Sequence, residues 1–244
     1  MKKVVFFGAP DKSHLLLVLG KLLTALERKV LIVDSTFAQS MQGYLPQLEF
    51  GCSLREFEGI DVATGLITSA QLERSLLEAE GEAAYDVMLL DTDHTEFVKG
   101  RELPGYDKRV WCSNFNRMGM QTNANLMQRL CLHEAEGQPL TFYKLNAPTL
   151  PTAIPESYID SVLPQQAVRW EDTVFRFPLD ERDMSVELDN QHHGRIDIRR
   201  LSGAYRRTVL DMLQQLFDCD SKAARRGWAR SRKACVSGNF CERR

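Results

Sequence analysis

The 244-residue chain has no C-x-x-C pair, no G-x-S-x-G elbow, no apolar run of the roughly eighteen residues a membrane span needs, and almost no net charge. Each absence removes a class of reading. The six cysteines, Cys52, Cys112, Cys131, Cys219, Cys235 and Cys241, stand apart and read as reduced cytosolic thiols rather than a disulfide framework. Cys131-Leu132-His133 and His192-His193 lack a second ligand pair at a recognised spacing and so indicate no metal centre. Ser40, Ser113 and Ser202 lie in no nucleophile elbow, which leaves a hydrolase triad unsupported. A net charge of −2 gives no global drive toward nucleic acid. The N-terminus reads as a strand carrying two lysines instead of a signal sequence, so a cytoplasmic location is expected.

What is present is a hydrophobic content of 43%, enough to bury one α/β core. The richest stretch is the opening one. An apolar strand, Lys3 to Phe7, leads into the loop Gly8-Ala9-Pro10-Asp11 and then Lys12-Ser13-His14. A helix from Leu15 to Leu26 follows, and a buried strand from Lys29 closes on Asp34. This order reads either as an ordinary βα turn or as the opening βαβ unit of a P-loop nucleotide-binding fold. Such a loop works because backbone N–H groups and a helix N-terminus converge on an anion, with Lys reaching the phosphates and Ser holding Mg²⁺. Gly8 is the one glycine here; the pattern G-x-x-x-x-G-K-[ST] requires glycines where Phe6 and Asp11 stand. Asp11 is the graver departure, since its carboxylate repels phosphate and its Cβ limits backbone approach.

Downstream the pattern keeps alternating. Tyr85 to Asp93 is a continuous apolar strand ending in acid, where a P-loop protein places the Asp of its Mg²⁺ shell. Further strands are expected at Arg109 to Ser113, Leu140 to Asn146 and Thr173 to Phe177, and helices at Ser69 to Glu80, Asn123 to Glu136, Tyr158 to Gln165 and Arg199 to Phe217. Residues 37–50 read as a loop, and Asp180, Glu181 and Asp183 as solvated loop acids. Together these elements predict an α/β fold with a doubly wound, mostly parallel sheet flanked by helices and ligands at the strand C-termini. The domain is expected to span 1–220. Residues 221–244, with eight Lys or Arg against one acid and no apolar stripe, read as a basic, flexible tail.

Over residues 1–217 this arrangement resembles the MinD/ParA family of deviant P-loop ATPases, which includes the pilus, flagellar and cellulose-secretion positioning ATPases. The resemblance rests on Lys12-Ser13, the strands closing on Asp34 and Asp91, Asn146 at the end of its strand, and Phe177-Pro178-Leu179-Asp180 before a terminal helix. It implies ATP or ADP with Mg²⁺, with Gly8, Lys12 and Ser13 at the phosphates, Ser13, Asp34 and Asp91 toward the metal, and Asn146, Pro178 and Asp180 beside the adenine. It also implies what is missing: the family's signature lysine falls on Phe7, its loop glycines on Gly8, Ala9 and Asp11, and its water-orienting aspartate on Thr36. The expected function is a bacterial positioning or regulatory scaffold, at most a weak ATPase, with protein partners and a homodimer. The basic tail is expected to contact anionic membrane, at its inner face, or nucleic acid. The alternative is a slow ATPase that dimerises around ATP and cycles on and off membrane or nucleoid.

Overall fold

A computed structural model of the chain describes residues 1–46, 53–78, 84–132, 139–163 and 168–238, the last with side chains to residue 235. Three strands at its centre are β1 (Lys2–Phe7), β2 (Val30–Asp34) and β5 (Val87–Thr92); Val4–Phe7, Val30–Val33 and Val87–Leu90 in them are unbroken apolar runs, the last two closing on Asp34 and Asp91. β2 and β5 are buried at every position. Continuous rather than alternating hydrophobicity is what a parallel strand covered on both faces requires. The remaining strands are β3 (Leu54–Phe57), β4 (Ile60–Ala63), β6 (Lys108–Ser113), β7 (Leu140–Thr149) and β8 (Val168–Pro178). They join in the order β3-β4-β2-β5-β1-β6-β7-β8, with β3–β4 antiparallel and every other pair parallel. The expected doubly wound α/β architecture is therefore observed.

Side chains alternate across the sheet. Val4 and Phe6 face one core, with α1 (Ser13–Thr24), α6 (Gly203–Phe217) and α7 (Ser221–Gly238). Val5 and Phe7 face the other, with α2 (Ser69–Glu78) and α3 (Arg117–Arg129). α4 (Glu156–Val162) and α5 (Glu181–His193) complete the set, with short 3₁₀ turns at Ser40–Gly43 and Gly100–Gly105. Register sets Asp34 beside Asp91 and Phe6 beside Asp91, so the first loop and both acids meet at one carboxyl edge of the sheet. Among the described residues no helix is long and apolar enough to cross a membrane.

Several expectations are corrected. Residues 54–63 form a hairpin not anticipated, turning through Glu58 and Gly59, both at positive φ. α3 starts at Arg117, capped by the Asn116 side chain, and β8 begins at 168, not 173. The supposed loop acids open α5. Asp180 caps it by accepting Arg182 N–H, and buried Asp183 accepts both the N–H and the hydroxyl of Ser202.

The largest correction concerns the tail. Residues 221–238 are a helix docked on α1 and α6, not a flexible segment, with Asp220 accepting Ala223 N–H at its start. Ala224, Gly227, Trp228, Ser231 and Cys235 recur at helical spacing and turn inward. Trp228 is 3% exposed and Ala224 fully buried. A Cβ on Gly227 would sit 3.1 Å from Leu26 Cγ and 3.2 Å from Leu22 O, so the glycine allows α7 to lie close against α1. The Arg206 guanidinium covers the Trp228 ring at 5.5 Å. Lys222, Arg225, Arg226, Arg232 and Lys233 remain on the exposed side. The expected helix ends at 80, 133–136 and 164–165, residues 47–50 of the loop after β2, and Cys52, His133 and Cys241 lie outside the described residues.

Candidate functional site

The site grows from the turn between β1 and α1. Gly8 has φ +129, and a Cβ there would fall 2.1 Å from Cys112 O, so only glycine lets the loop cross β6 this closely. Beyond it the loop curls around its own lysine. Lys12 Nζ donates to Gly8 O and Pro10 O, both at 2.8 Å, and lies 2.9 Å from Asp91 Oδ1. Two N–H groups of the ammonium are thus used by carbonyls, while Asp91 pairs with it by charge and its Oδ1 makes no hydrogen bond among the described residues. Lys12 and Asp91 side chains are each 2% exposed. Burial works against the Lys12 charge, yet Asp91, Cys112 and Asp93 around it together outweigh burial and hold the ammonium above its ordinary range. Burial likewise pushes the Asp91 carboxyl up to about 7 against the pull of Lys12.

Three of the loop's backbone donors are also engaged, Gly8 N–H by Thr92 O among them. Ala9 N–H donates to Asn123 Oδ1 at 2.8 Å, and Ser13 N–H to the Asp11 side chain at 2.8 Å. Asn123, 1% exposed on α3, in turn donates to Cys112 O and Ser113 Oγ. A phosphate-binding loop turns N–H groups inward; this one turns the Gly8 and Pro10 carbonyls inward onto Lys12.

The acids expected at a metal are similarly occupied. Asp34 accepts Thr36 N–H and O–H on one oxygen and Met41 N–H on the other, and is fully buried. Its carboxyl is raised by burial against those hydrogen bonds. Asp34 thus fixes the loop that follows β2, while Asp91 neutralises Lys12. Thr36, where a water-orienting aspartate was expected to be absent, turns back onto Asp34, and Phe7 is fully buried and stacked on Trp111. As arranged, Lys12 and Asp34 are engaged by the protein's own groups, while Asp91 Oδ1 carries no hydrogen bond among the described residues.

Beside the loop lies a cleft of about 300 Å³. Lys12, Pro178 and Asp180 line it, but Asn146 does not; its side chain borders a separate cavity of about 120 Å³ beneath α4. The residues expected at an adenine are therefore split between two cavities. Sequence reasoning missed His14, Glu187, Asp183 and Tyr205 at the first cleft. His14 could have been marked as a polar residue on an otherwise apolar helix; the others come from α5 and α6 and reach the loop only through the fold. His14 accepts from Asn190 Nδ2 at 3.0 Å through Nε2, which places its proton on Nδ1 toward the Tyr205 hydroxyl at 3.5 Å. The Asn190 orientation is fixed because its Oδ1 accepts Asp197 N–H.

Burial drives the His14 pKa from 6.5 down to about 4, outweighing the pull of Asp11. Between those values the unfolded chain binds the proton and the folded one does not. The neutral imidazole's contribution is complete above about pH 6.5 and is lost as pH falls through about 4, a swing of about 3 kcal/mol. Urea unfolding at pH 7 and pH 4 should show this loss in the wild type and a shallower pH slope in His14→Gln.

No protein-family model matches the chain, and no curated protein matches it. Solved structures do. The MinC:MinD cell division protein complex of Aquifex aeolicus matches with a TM-score of 0.61 at 13% identity, over 90% of this chain and 97% of that one. A ParA family ATPase from Chlorobium tepidum TLS matches at 0.57 and 16% identity, over 87% and 99%. The fold is that of the MinD and ParA ATPases. The MinD septum site-determining protein of Pyrococcus horikoshii OT3, complexed with Mg-ADP, matches at 0.50 and 13% identity over 86% and 95%. At these identities the likeness to MinD and ParA is one of fold. It spans both chains almost end to end, so the first loop, Asp34 and Asp91 of the present chain occupy a MinD/ParA-like framework, with the side-chain contacts described above.

Proposed function

We propose that the protein is a MinD/ParA-like scaffold whose nucleotide site is degenerate, and that it positions or regulates a larger bacterial assembly through protein contacts. The observation that carries this reading is Lys12: buried, ion-paired to Asp91 and bonded to two carbonyls of its own loop. A phosphate entering the loop must displace those contacts and then face Asp11. Buried Phe7 and inward Thr36 stand where the family carries a lysine that stabilises transition-state charge and an aspartate that orients water. Removing one such group typically costs about 10²–10³-fold in rate. The MinD protein of Pyrococcus horikoshii binds Mg-ADP and that of Aquifex aeolicus forms a complex with MinC. By that likeness, ATP or ADP with Mg²⁺ is the ligand from which the present site has departed, and a partner protein or a second copy is the natural occupant of its surface.

The exposed Lys and Arg side chains of α7 support a contact with anionic membrane or nucleic acid. Each basic residue at an anionic surface contributes about 1 kcal/mol, and the contact weakens with salt. A peripheral position at the inner membrane face fits that chemistry.

Single-turnover assays with Mg²⁺ and ATP test the proposal. No phosphate release above the buffer rate is expected. Hydrolysis at the rate of an intact ATPase, abolished by Ser13→Ala, would overturn it in favour of a cycling enzyme.

A further inference from the structure

The cleft beside the first loop has the wrong charge for a nucleotide and the right chemistry for a different ligand. Its floor is apolar and aromatic: Leu15, Leu145, Phe177 and Tyr205, the last two packed edge to face at 4.9 Å between ring centres. Four acids line it, Asp11 from the first loop and Asp180, Asp183 and Glu187 from the start of α5. Among the described residues the one cation in the lining is Lys12, which donates to Gly8 O and Pro10 O and is neutralised by Asp91 at 2.9 Å.

The four acids are not equivalent. Asp183 is used by Ser202, and Asp180 caps α5. Asp11 gives one oxygen to Ser13 N–H, and no partner is seen for the other among the described residues. Glu187 has no hydrogen bond or ion pair among the described residues, though it is half-buried at the wall of the cleft. Burial and the neighbouring Asp11 raise its pKa, as expected of a carboxylate lacking a counter-charge. Leu179 and Met184, exposed by 43% and 49%, are large apolar side chains in the same lining that still face solvent.

We infer that this cleft binds a small organic cation, an ammonium carried on an apolar or aromatic body, with Asp11 and Glu187 as its counter-charges and Phe177 and Tyr205 as its aromatic surface. Carboxylates set beside aromatic rings are the combination that recognises alkylammonium groups, by charge and by attraction to the ring face. The volume lies at the lower end of small-molecule sites, which selects a ligand smaller than a nucleoside triphosphate. Beside the Mg-ADP complex of the Pyrococcus horikoshii MinD, this would be a ligand of opposite charge on the same fold. The inference shares with the proposed scaffold role only the engagement of Lys12.

Three probes of matched shape and different charge test it: phenethylamine, phenethyl alcohol and hydrocinnamate, each titrated into the full-length protein by amide-resolved NMR. Phenethylamine should shift the resonances of Leu15, Tyr205 and Glu187 and bind about tenfold more tightly than the alcohol, with hydrocinnamate giving no shift. Glu187→Gln, at a side chain with no hydrogen bond or ion pair among the described residues, should weaken the amine severalfold and leave the spectrum otherwise folded, and Asp11→Asn should act in the same direction. Equal or tighter binding of hydrocinnamate, no shift with any of the three, or unchanged amine affinity in both variants would overturn the inference. Since ATP hydrolysis is assayed separately, failure here leaves the scaffold reading standing, and hydrolysis there leaves the amine result intact.

Discussion

Replacing Lys12 by methionine should destabilise the protein by about 3–5 kcal/mol, the cost of leaving one member of a buried ion pair unpaired. A lysine held ready for phosphate faces its ligand, and its removal costs binding rather than folding. Here the ammonium donates to Gly8 O and Pro10 O and pairs by charge with Asp91, so its loss leaves a buried carboxylate and two buried carbonyls without their partner. For a chain of this size each kcal/mol lowers Tm by about 2–4 °C, so a fall of about 10 °C is expected in calorimetry. The double variant Lys12→Met, Asp91→Leu should fall between wild type and single variant. It removes the stranded charge but not the stranded carbonyls. A Lys12→Met protein as stable as wild type would show that the lysine is not part of the folded loop.

Truncation after Asp220 should be as damaging. α7 buries Trp228 and Ala224 against α1 and α6, and its removal uncovers Leu22 and Leu26 of the first helix and its C-terminal turn. Losing a buried Trp alone costs about 3–5 kcal/mol. Tm should drop by about 10 °C or more, and Trp228→Ala should reproduce most of the effect. Substituting exposed Lys222, Arg225 and Arg232 by alanine should change stability by no more than about 0.5 kcal/mol each, while reducing any binding to anionic vesicles in a salt-dependent way. A truncated chain with unchanged Tm would mean that α7 contributes nothing to the domain.

These two results bear on what a sequence displays and what it conceals. The central strands were legible because a parallel strand buried on both faces is written as an uninterrupted apolar run, as at 30–34 and 87–92. The β3–β4 hairpin was not recognised. Its strands have four residues each, and its turn is Glu58-Gly59 instead of the stronger Asn-Gly or Asp-Gly signal. α5 was hidden by its own start signal: Asp180, Glu181 and Asp183 are a cap and first-turn acids that also suit a loop. α7 was hidden by the composition of its inner face, where Ala224, Gly227 and Ser231 surround a single Trp228. Close approach needs small residues, and small residues make no hydrophobic stripe.

At the site, the departures at Phe7, Asp11 and Thr36 could be read directly. The engagement of Lys12 could not, because it depends on carbonyl directions in the loop and on an aspartate of β5, distant in the chain and a neighbour of β1 only in the sheet. The same holds for the acid-lined cleft. Asp11 and Glu187 lie far apart in sequence and share one wall only after α5 crosses the carboxyl edge of the sheet.

The most direct test of the central claim, that the chain's own contacts fill its phosphate loop, is calorimetric titration of ATP with Mg²⁺ into the wild-type protein and into Asp11→Gly. The wild type should give no saturable binding below about millimolar ligand, equivalent to less than about 4 kcal/mol, and Asp11→Gly should bind more tightly by relieving charge and opening backbone access. Micromolar binding of ATP by the wild type, unchanged by Asp11→Gly, would contradict the claim and return the site to the nucleotide-binding class.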